Sequence, residues 1–492
     1  MILALHVLWL VVLAVHAPAV ASQPGAREFV VILALLGTWR CCWGLTHLSR
    51  ALIYRHARFP ALRRAAGALG HAGRPSHVYL VITSFRHPAE TTTRVFQAVV
   101  AEATRFGGSV TIVASIVEAG DLRLIKQLVR RFAPPEEVRL VLLRRPALGR
   151  RHALACALRA VSRRMPAEDA AVLVMDGDTL LPPGTLERSL PFLQLLPEVD
   201  AITTDEENIV AGGRLMQAWQ ALHAARRHQV LSSMALSRRL IAMPGRMSIL
   251  RARTTTDPDF IRTIEHDGPG QWRRGQLPLL AGAGGSAWLW LLQAGRDMLY
   301  LPDVRVIALD RPPGRGFVGP GTTLTLRCSG DMLRTDARAI ALGPGRVGSF
   351  VWWCLVGRRI SVWTPLIGAI LVLPLALAAS WVFLWTYALW VGITRLIECI
   401  LLLTARPRID GLWPFLIYYG QIQGALVGIW ILLRSGQRRW TRRGRSADPV
   451  IGRPRLAAAD LDGLGLTALI AAIDVLTNLP DLPPPGAPGA GL

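Results

Sequence analysis

Lysine is all but missing from this 492-residue chain: Lys126 is the only one among its 56 basic residues. The formal net charge of +23 is therefore carried by arginine. Together with abundant Ala, Gly, Leu and Pro, this skew reads as coding bias, so an arginine where chemistry would accept a lysine signals little. Cysteine is also scarce. Cys41, Cys42, Cys156, Cys328, Cys354 and Cys399 form no Cys-x-x-Cys pair and no ladder, which argues against a structural zinc or a disulfide scaffold. No recognition helix and no aromatic-basic ribonucleoprotein motif accompanies the charge, which argues against nucleic acid as a partner. An anionic membrane face or an acidic substrate remains. Internal repeats are absent.

Long apolar runs are present, and they bracket a more polar middle. Leu3 to Ala21 contains no Lys, Arg, Asp or Glu, and Phe29 to His47 is broken only by Arg40. About 20 such residues cross the hydrocarbon core of a bilayer. Ala19-Val20-Ala21 resembles a signal-peptide cleavage site, but a positive n-region is lacking, so the first segment reads as a retained anchor. Arg50, Arg55, Arg58, Arg63 and Arg64 follow the second segment, and the positive-inside rule then places the middle of the chain in the cytosol. A second block begins near Ser361: Ser361 to Thr404 is long enough for two spans, and Trp413 to Leu433 for a third. Arginines flank both of its ends, which favours an even number of crossings, with one segment lying at the interface. The expected organisation is two N-terminal membrane helices (1–48), a cytosolic domain (49–345), interfacial and membrane helices (346–433), and a basic juxtamembrane segment with a disordered tail (434–492). Within that tail, Leu461 to Leu476 could form a short amphipathic helix.

In the middle, apolar strands alternate with helical patterns. His77–Phe85, Ser109–Val117, Arg139–Arg144 and Ala170–Met175 read as strands, and Ala89–Phe106, Asp121–Phe132 and Arg151–Met165 as helices. This is the alternation of an α/β fold with a doubly wound parallel sheet. The most informative stretch is Ala170 to Thr179, where an apolar strand ends abruptly in Asp176-Gly177-Asp178. Open α/β sheets bind ligands at the carboxyl ends of their strands. Two carboxylates one residue apart suit a hard cation that also binds phosphate oxygens. The plain alternative for an Asp-x-Asp is a solvated turn.

The order Thr83-Ser84-Phe85-Arg86, Ser115-Ile116-Val117-Glu118, Asp176-Gly177-Asp178-Thr179 and Thr203-Thr204-Asp205-Glu206 resembles a processive family 2 glycosyltransferase, and more narrowly the catalytic polymerases (mannuronan synthases) of bacterial alginate biosynthesis. Ser232 to Arg239, Gly245-Arg246-Met247-Ser248 and Trp440-Thr441-Arg442 reinforce the likeness, which covers roughly residues 35 to 443. The resemblance implies a GT-A domain in the cytosol at the bacterial inner membrane. It also implies transfer of mannuronate from GDP-mannuronic acid onto a growing polysaccharide. Thr83, Ser84 and Glu118 would cradle the nucleotide, Asp176 would hold its ribose or diphosphate end, and Asp178 would hold Mg²⁺ (or Mn²⁺). Arg150 and Arg151 occupy a Lys-Arg position of the family and would clamp phosphate or the sugar carboxylate, and Arg327 would bind diphosphate.

Two departures stand against these matches. The family's Gly-Asp-Asp, whose carboxylate is the general base, aligns here with Gly282-Ala283-Gly284, and its Gln-x-x-Arg-Trp with Leu324-Thr325-Leu326-Arg327-Cys328. Positioned general bases contribute about 10²- to 10⁴-fold to such reactions. Asp205, Glu206 and Asp267 are candidates for a displaced base, each also readable as a surface or capping carboxylate. Two functions therefore stand: a synthase with a displaced base, or a donor-binding scaffold or pore subunit weakened in catalysis. The resemblance also implies a membrane partner that senses cyclic di-GMP. Arg434 to Arg438 has the arginine spacing of a cyclic di-GMP loop, but the Asp/Asn-x-Ser-x-x-Gly that should follow is absent.

Overall fold

The structure is a computed structural model that describes residues 2–16, 26–84, 87–144, 149–243, 246–266, 283–312, 314, 316–407 and 410–433. The juxtamembrane arginines, the Trp440-Thr441-Arg442 motif, the tail helix at 461–476 and Asp267 lie outside the described residues.

In chain order the longer helices are α1 (Ile2–His16), α2 (Ala26–Ile53), α3 (Phe59–Ala68), α4 (Ala89–Phe106), α5 (Ala119–Phe132), α6 (Arg150–Ser162) and α7 (Arg214–Ala235). They continue with α8 (Pro258–His266), α9 (Ala283–Gln293), α10 (Val318–Ala341), α11 (Ser349–Ile360), α12 (Thr364–Ala378), α13 (Val382–Leu402) and α14 (Trp413–Leu433). The strands are β1 (Val78–Ser84), β2 (Val110–Ile116), β3 (Val138–Arg144), β4 (Ala171–Asp176), β5 (Thr179–Leu180), β6 (Val199–Val210), β7 (Met247–Arg251) and β8 (Asp297–Asp310).

All eight strands join one sheet in the order β3-β2-β1-β4-β7-β6-β8-β5. From β3 to β4 it is parallel, as the sequence implies. Every residue of β1 and β2 is buried, as befits strands covered by helices on both faces. The expectation of a wholly parallel sheet is corrected in its second half. There β7 runs antiparallel to both β4 and β6, β5 runs antiparallel to β8, and only β6 and β8 pair in parallel. The reason is a short return: β7 inserts between β4 and β6, so β6 pairs with it rather than with β4. Register shifts in the β6–β8 pairing at Val199/Ala201 and Thr204/Asp205 curl this half of the sheet, as bulges do.

Helix α2 does not stop where its apolar run ends. It passes through one π turn, Tyr54–Arg58, into α3, making a single rod from Ala26 to Ala68. The turn is tied to the sheet: the Tyr54 hydroxyl donates to the Tyr300 carbonyl at 2.6 Å, and Arg63 pairs with Asp303. Among the described residues four stretches are long and apolar enough to cross a membrane, Ala26–Ala68, Ser349–Ala378, Val382–Leu402 and Trp413–Leu433, so this is a multi-pass membrane protein. The described part of the first apolar segment is the 15-residue α1, about 23 Å at 1.5 Å per residue and shorter than the span expected of it. Exposed Ile370, Leu373, Leu377, Trp381, Trp385 and Ile397 make the outer faces of α12 and α13 apolar. The inner faces of α13 and α14 meet the domain, where Trp219 and Leu222 of α7 pack with Phe317, Cys399, Trp413 and Ile417.

Beneath that junction Asp205, at the β6 bulge, is 2% exposed. It receives Arg305 at 3.0 Å, Arg406 at 2.8 Å, the Tyr300 hydroxyl at 3.2 Å and the His228 ring at 3.3 Å. Burial alone would raise its pKa, but these donors hold its carboxyl well below the usual carboxylate range. His228 and then Arg406 lower it most, and His228 is itself pushed down by burial. A carboxylate with a depressed folded pKa contributes stability that is present above its unfolded pKa of about 4 and lost as pH falls through the folded value. Asp205→Asn should therefore cost about 3–5 kcal/mol, read as earlier thermal unfolding of the detergent-solubilised protein at pH 7. The deficit should shrink as the pH is lowered below 4, and an unchanged melting curve at pH 7 contradicts this role.

Candidate active site

The carboxyl ends of β1, β2 and β4 lie side by side, with Thr83 opposite both Ser115 and Asp176. The turn after β4 is as close as backbone permits. Gly177 N–H donates to the Thr83 carbonyl at 3.0 Å, and a Cβ on Gly177 would stand 2.9 Å from Ser84 Cα. Only glycine fits, and its fit sets Asp176 and Asp178 beside the β1 terminus. The buried hydroxyls of Ser84 and Ser115 have no hydrogen-bond partner among the described residues. Such groups are costly unless a ligand or water bonds them, so this edge is chemically prepared for a polar ligand. Glu118 stands exposed just past β2, at the N-terminus of α5.

Positive charge converges on the two aspartates from separate elements. Arg150, at the start of α6, pairs with Asp176. Arg246, just before β7, lies 2.8 Å from Asp178, pairs with Asp310 at the end of β8, and is 4.0 Å from Asp176. Burial opposes the Arg246 charge, yet Asp178, Asp310, Asp176 and Glu206 raise its pKa above the ordinary arginine value. Arg151 donates to the Ser286 hydroxyl in the first turns of α9, so α6 and α9 meet at the mouth of the site. Arg327 and Cys328 reach it from α10. Surrounding protein raises the Cys328 thiol pKa and Asp331 adds to the rise, while Arg227, Arg246 and Arg327 oppose it.

The sequence-derived residues thus fall into two groups. Thr83, Ser84, Asp176, Asp178, Arg150 and Arg151 gather at one edge, with Glu118 at its rim and Arg327 approaching from α10. Of the candidate bases, Asp205 is tied into the structural network under the membrane junction, and a carboxylate so depressed is a weak proton acceptor. Glu206 is 4% exposed and paired with Arg227. The sequence alone does not point to Arg246 or Arg227 as site residues. The Gly-Arg-Met-Ser word contains the first of them, but nothing in the sequence reveals that β7 returns beside β4 and aims it at the aspartates.

No three His, Cys, Asp or Glu residues are grouped closely enough to hold a metal by themselves among the described residues. The chemistry of the donors nevertheless fits a hard divalent cation: three carboxylates already surround one positive charge, and carboxylate oxygen is what such a cation takes. A diphosphate would supply the remaining oxygens.

Residues 75–317 match the model of the family described as "Glycosyltransferase like family 2". Glycosyltransferase alg8 of Pseudomonas syringae pv. tomato is 38% identical over 431 residues, covering 88% of this chain and 87% of that one. Glycosyltransferase alg8 of Azotobacter vinelandii is 38% identical over 437 residues, covering 88% of each. Among solved structures, the mannosyltransferase PcManGT of Pyrobaculum calidifontis, in complex with GDP-Man and Mn²⁺, aligns at 17% identity and a TM-score of 0.47 over 78% of this chain and 99% of that one. Residues 1–349 of S. aureus TarS align at 13% identity and a TM-score of 0.33 over 73% and 92%. An apolar strand closing on Asp-Gly-Asp, membrane helices packed against the same domain, and 38% identity sustained across nearly nine-tenths of two relatives meet in one conclusion: the chain belongs to the family 2 glycosyltransferases, closely related to the Alg8-type alginate polymerases.

Proposed function

We propose that this membrane glycosyltransferase polymerises mannuronate from GDP-mannuronic acid into the alginate precursor, inverting the anomeric centre, and passes the product across the bacterial inner membrane. The observation that carries the donor side is the convergence of Asp176, Asp178 and Asp310 on one guanidinium, beside the buried hydroxyls of Ser84 and Ser115. Thr83, Ser84 and Glu118 cradle the guanosine, and Asp176 takes the ribose or diphosphate end. Arg150, Arg151 and Arg327 hold the diphosphate, for which an arginine fork is suited. Asp178 would hold Mg²⁺ or Mn²⁺. Bound there, the cation would act as a Lewis acid and neutralise the charge developing on GDP.

The arginines of the junction support an acidic product. Arg40 of α2 bonds Gln421 and Thr364, while Arg226 and Arg395 share Glu398, so guanidinium groups run from the domain into the spans. In this reading residues 49–345 form the catalytic domain on the cytosolic side, flanked by the helices of 1–48 and 346–433. A membrane partner that senses cyclic di-GMP governs the complex. A second reading, a donor-binding scaffold or pore subunit, is favoured by one fact: the stretch Ala281 to Gly285 contains no acid.

The experiment that separates them is GDP release from GDP-mannuronic acid with Mg²⁺, using the purified protein with its membrane partners. Release with polymer supports the synthase; GDP binding without turnover supports the scaffold. Asp178→Asn should abolish Mg²⁺-dependent binding of the GDP-sugar, measured by calorimetry, while membrane insertion stays normal; unchanged binding removes Asp178 from the metal site. The pair Ala283→Asp, Gly284→Asp should raise polymer yield if the missing acids limit the rate, and a folded double variant with no gain points to a base elsewhere.

A further inference from the structure

Charge inside a membrane span is costly and is seldom kept without a use. The spans here hold few charges, and those few do not balance. Arg40 of α2 interrupts the otherwise uncharged residues 29–47, and Arg395 and Glu398 are the only charged residues of α13. Glu398 is divided between two guanidinium groups. Arg395 lies 2.8 Å from one of its oxygens, and Arg226, from the domain helix α7, lies 2.5 Å from the other. Arg40 bonds the neutral oxygens of Gln421 and Thr364, at 3.2 and 3.0 Å, and no carboxylate among the described residues. These four charges act on one another across the junction. Three guanidinium groups therefore share one carboxylate.

Two of the three line one cavity. Arg40, Thr364 of α12, Tyr387 and Arg395 of α13, and Tyr418 and Gln421 of α14 form its wall, so each of the four apolar stretches contributes to it. Arg395 is 5% exposed, and its Nε has no hydrogen-bond partner among the described residues. A buried donor left over in this way is destabilising unless something polar meets it. Glycines bring the walls together. A Cβ on Gly368 would stand 2.7 Å from the Tyr387 ring, and a Cβ on Gly37 would stand 2.7 Å from that of Trp390. Small residues let membrane helices approach this closely. The cavity is about 20 Å³, enough for one water. A sugar acid can enter it only by its carboxylate oxygens, with the ring left outside.

We propose that Arg40 and Arg395 form a station within the spans that binds the carboxylate of an acidic sugar unit of the product. The inference rests on the reading of an acidic product above and names the residues that recognise its charge. A guanidinium fork pairs with a carboxylate bidentately, and aromatic side chains with a few placed polar groups are the usual lining of a ligand site. A bound carboxylate reduces the excess of positive charge that Glu398 alone leaves. A phospholipid headgroup is also an anion, but it approaches a helical bundle from the rim. This cavity draws its wall from all four stretches, and through Glu398 and Arg226 its charge is continuous with the domain.

The test uses the full-length protein in nanodiscs of neutral phosphatidylcholine, with a mannuronate hexamer and the mannose hexamer that lacks its carboxylates. The wild type should bind the acidic hexamer about 10- to 100-fold more tightly, the range for a hydrogen bond to a charged group. Arg40→Gln and Arg395→Gln should each cut that preference by about tenfold, while the Kd for GDP-mannuronic acid stays within about twofold of the wild-type value. A loss of packing alone does not change the ratio between two oligomers of one shape. A preference kept in both variants overturns the proposal. So does a preference that vanishes when phosphatidylglycerol is added, if that lipid co-purifies with the wild type and is lost from Arg40→Gln, because the occupant is then a headgroup. Where the glutamine variants do not fold, a diazirine-bearing mannuronate hexamer on the wild type decides: adducts on α13 or α14 beside the cavity support the station, and labelling confined to residues 49–345 overturns it. Wild type that binds GDP-mannuronic acid without preferring the acidic hexamer overturns this inference alone. Wild type that prefers the acidic hexamer but does not bind GDP-mannuronic acid overturns the donor reading and supports the station.

Discussion

Arg246 binds together the ends of chain segments that have no covalent reason to meet. Asp178 follows β4 and Asp310 closes β8, and one guanidinium between them, with Asp176 at 4.0 Å, offsets a concentration of negative charge that burial would otherwise make prohibitive. The planar fork suits this position because it can face two carboxylates at once. The candidate site is therefore held in shape by its own counter-charge, and any cation or diphosphate that enters would join an arrangement already near electrical balance. The same logic recurs under the membrane junction, where Asp205 is balanced by Arg305 and Arg406. In a chain nearly without lysine, most of the buried carboxylates described depend on arginine, whereas Glu102 is held by the Gly184 and Leu186 amides.

The half of the sheet legible in the sequence is the half whose strands are buried on both faces. β1, β2 and β4 announce themselves as unbroken apolar runs, and the helix Ala89–Phe106 was readable to the residue. The other half was not legible because its strands carry charge. β6 contains Thr203-Thr204-Asp205-Glu206-Glu207-Asn208, a string that looks like a turn, yet its first four residues are buried, Asp205 and Glu207 pair with Arg305 across the sheet, and Glu206 pairs with Arg227 of α7. Nothing in one strand's composition reports that an arginine on another will cover it, and so the return of β7 and the placement of Arg246 stayed hidden.

The candidate site shows the same division. Asp176 and Asp178 were readable because a strand end places them, and the bond between Gly177 and Thr83 explains why the motif needs glycine in the middle. Glu206 and Asp205 looked interchangeable as neighbours in sequence, but alternation along β6 sends them to different surroundings.

The rod from Ala26 to Ala68, about 65 Å at 1.5 Å per residue, is at once a membrane span and a strut of the catalytic domain. Its π turn is fastened to β8 through Tyr54 and Tyr300, and the Tyr300 hydroxyl in turn touches Asp205. That corner of the sheet thus has no hinge of its own. Whatever tilt the bilayer imposes on the span is carried into the domain as a change of height and pitch, so membrane thickness sets how far the candidate site stands from the lipid surface.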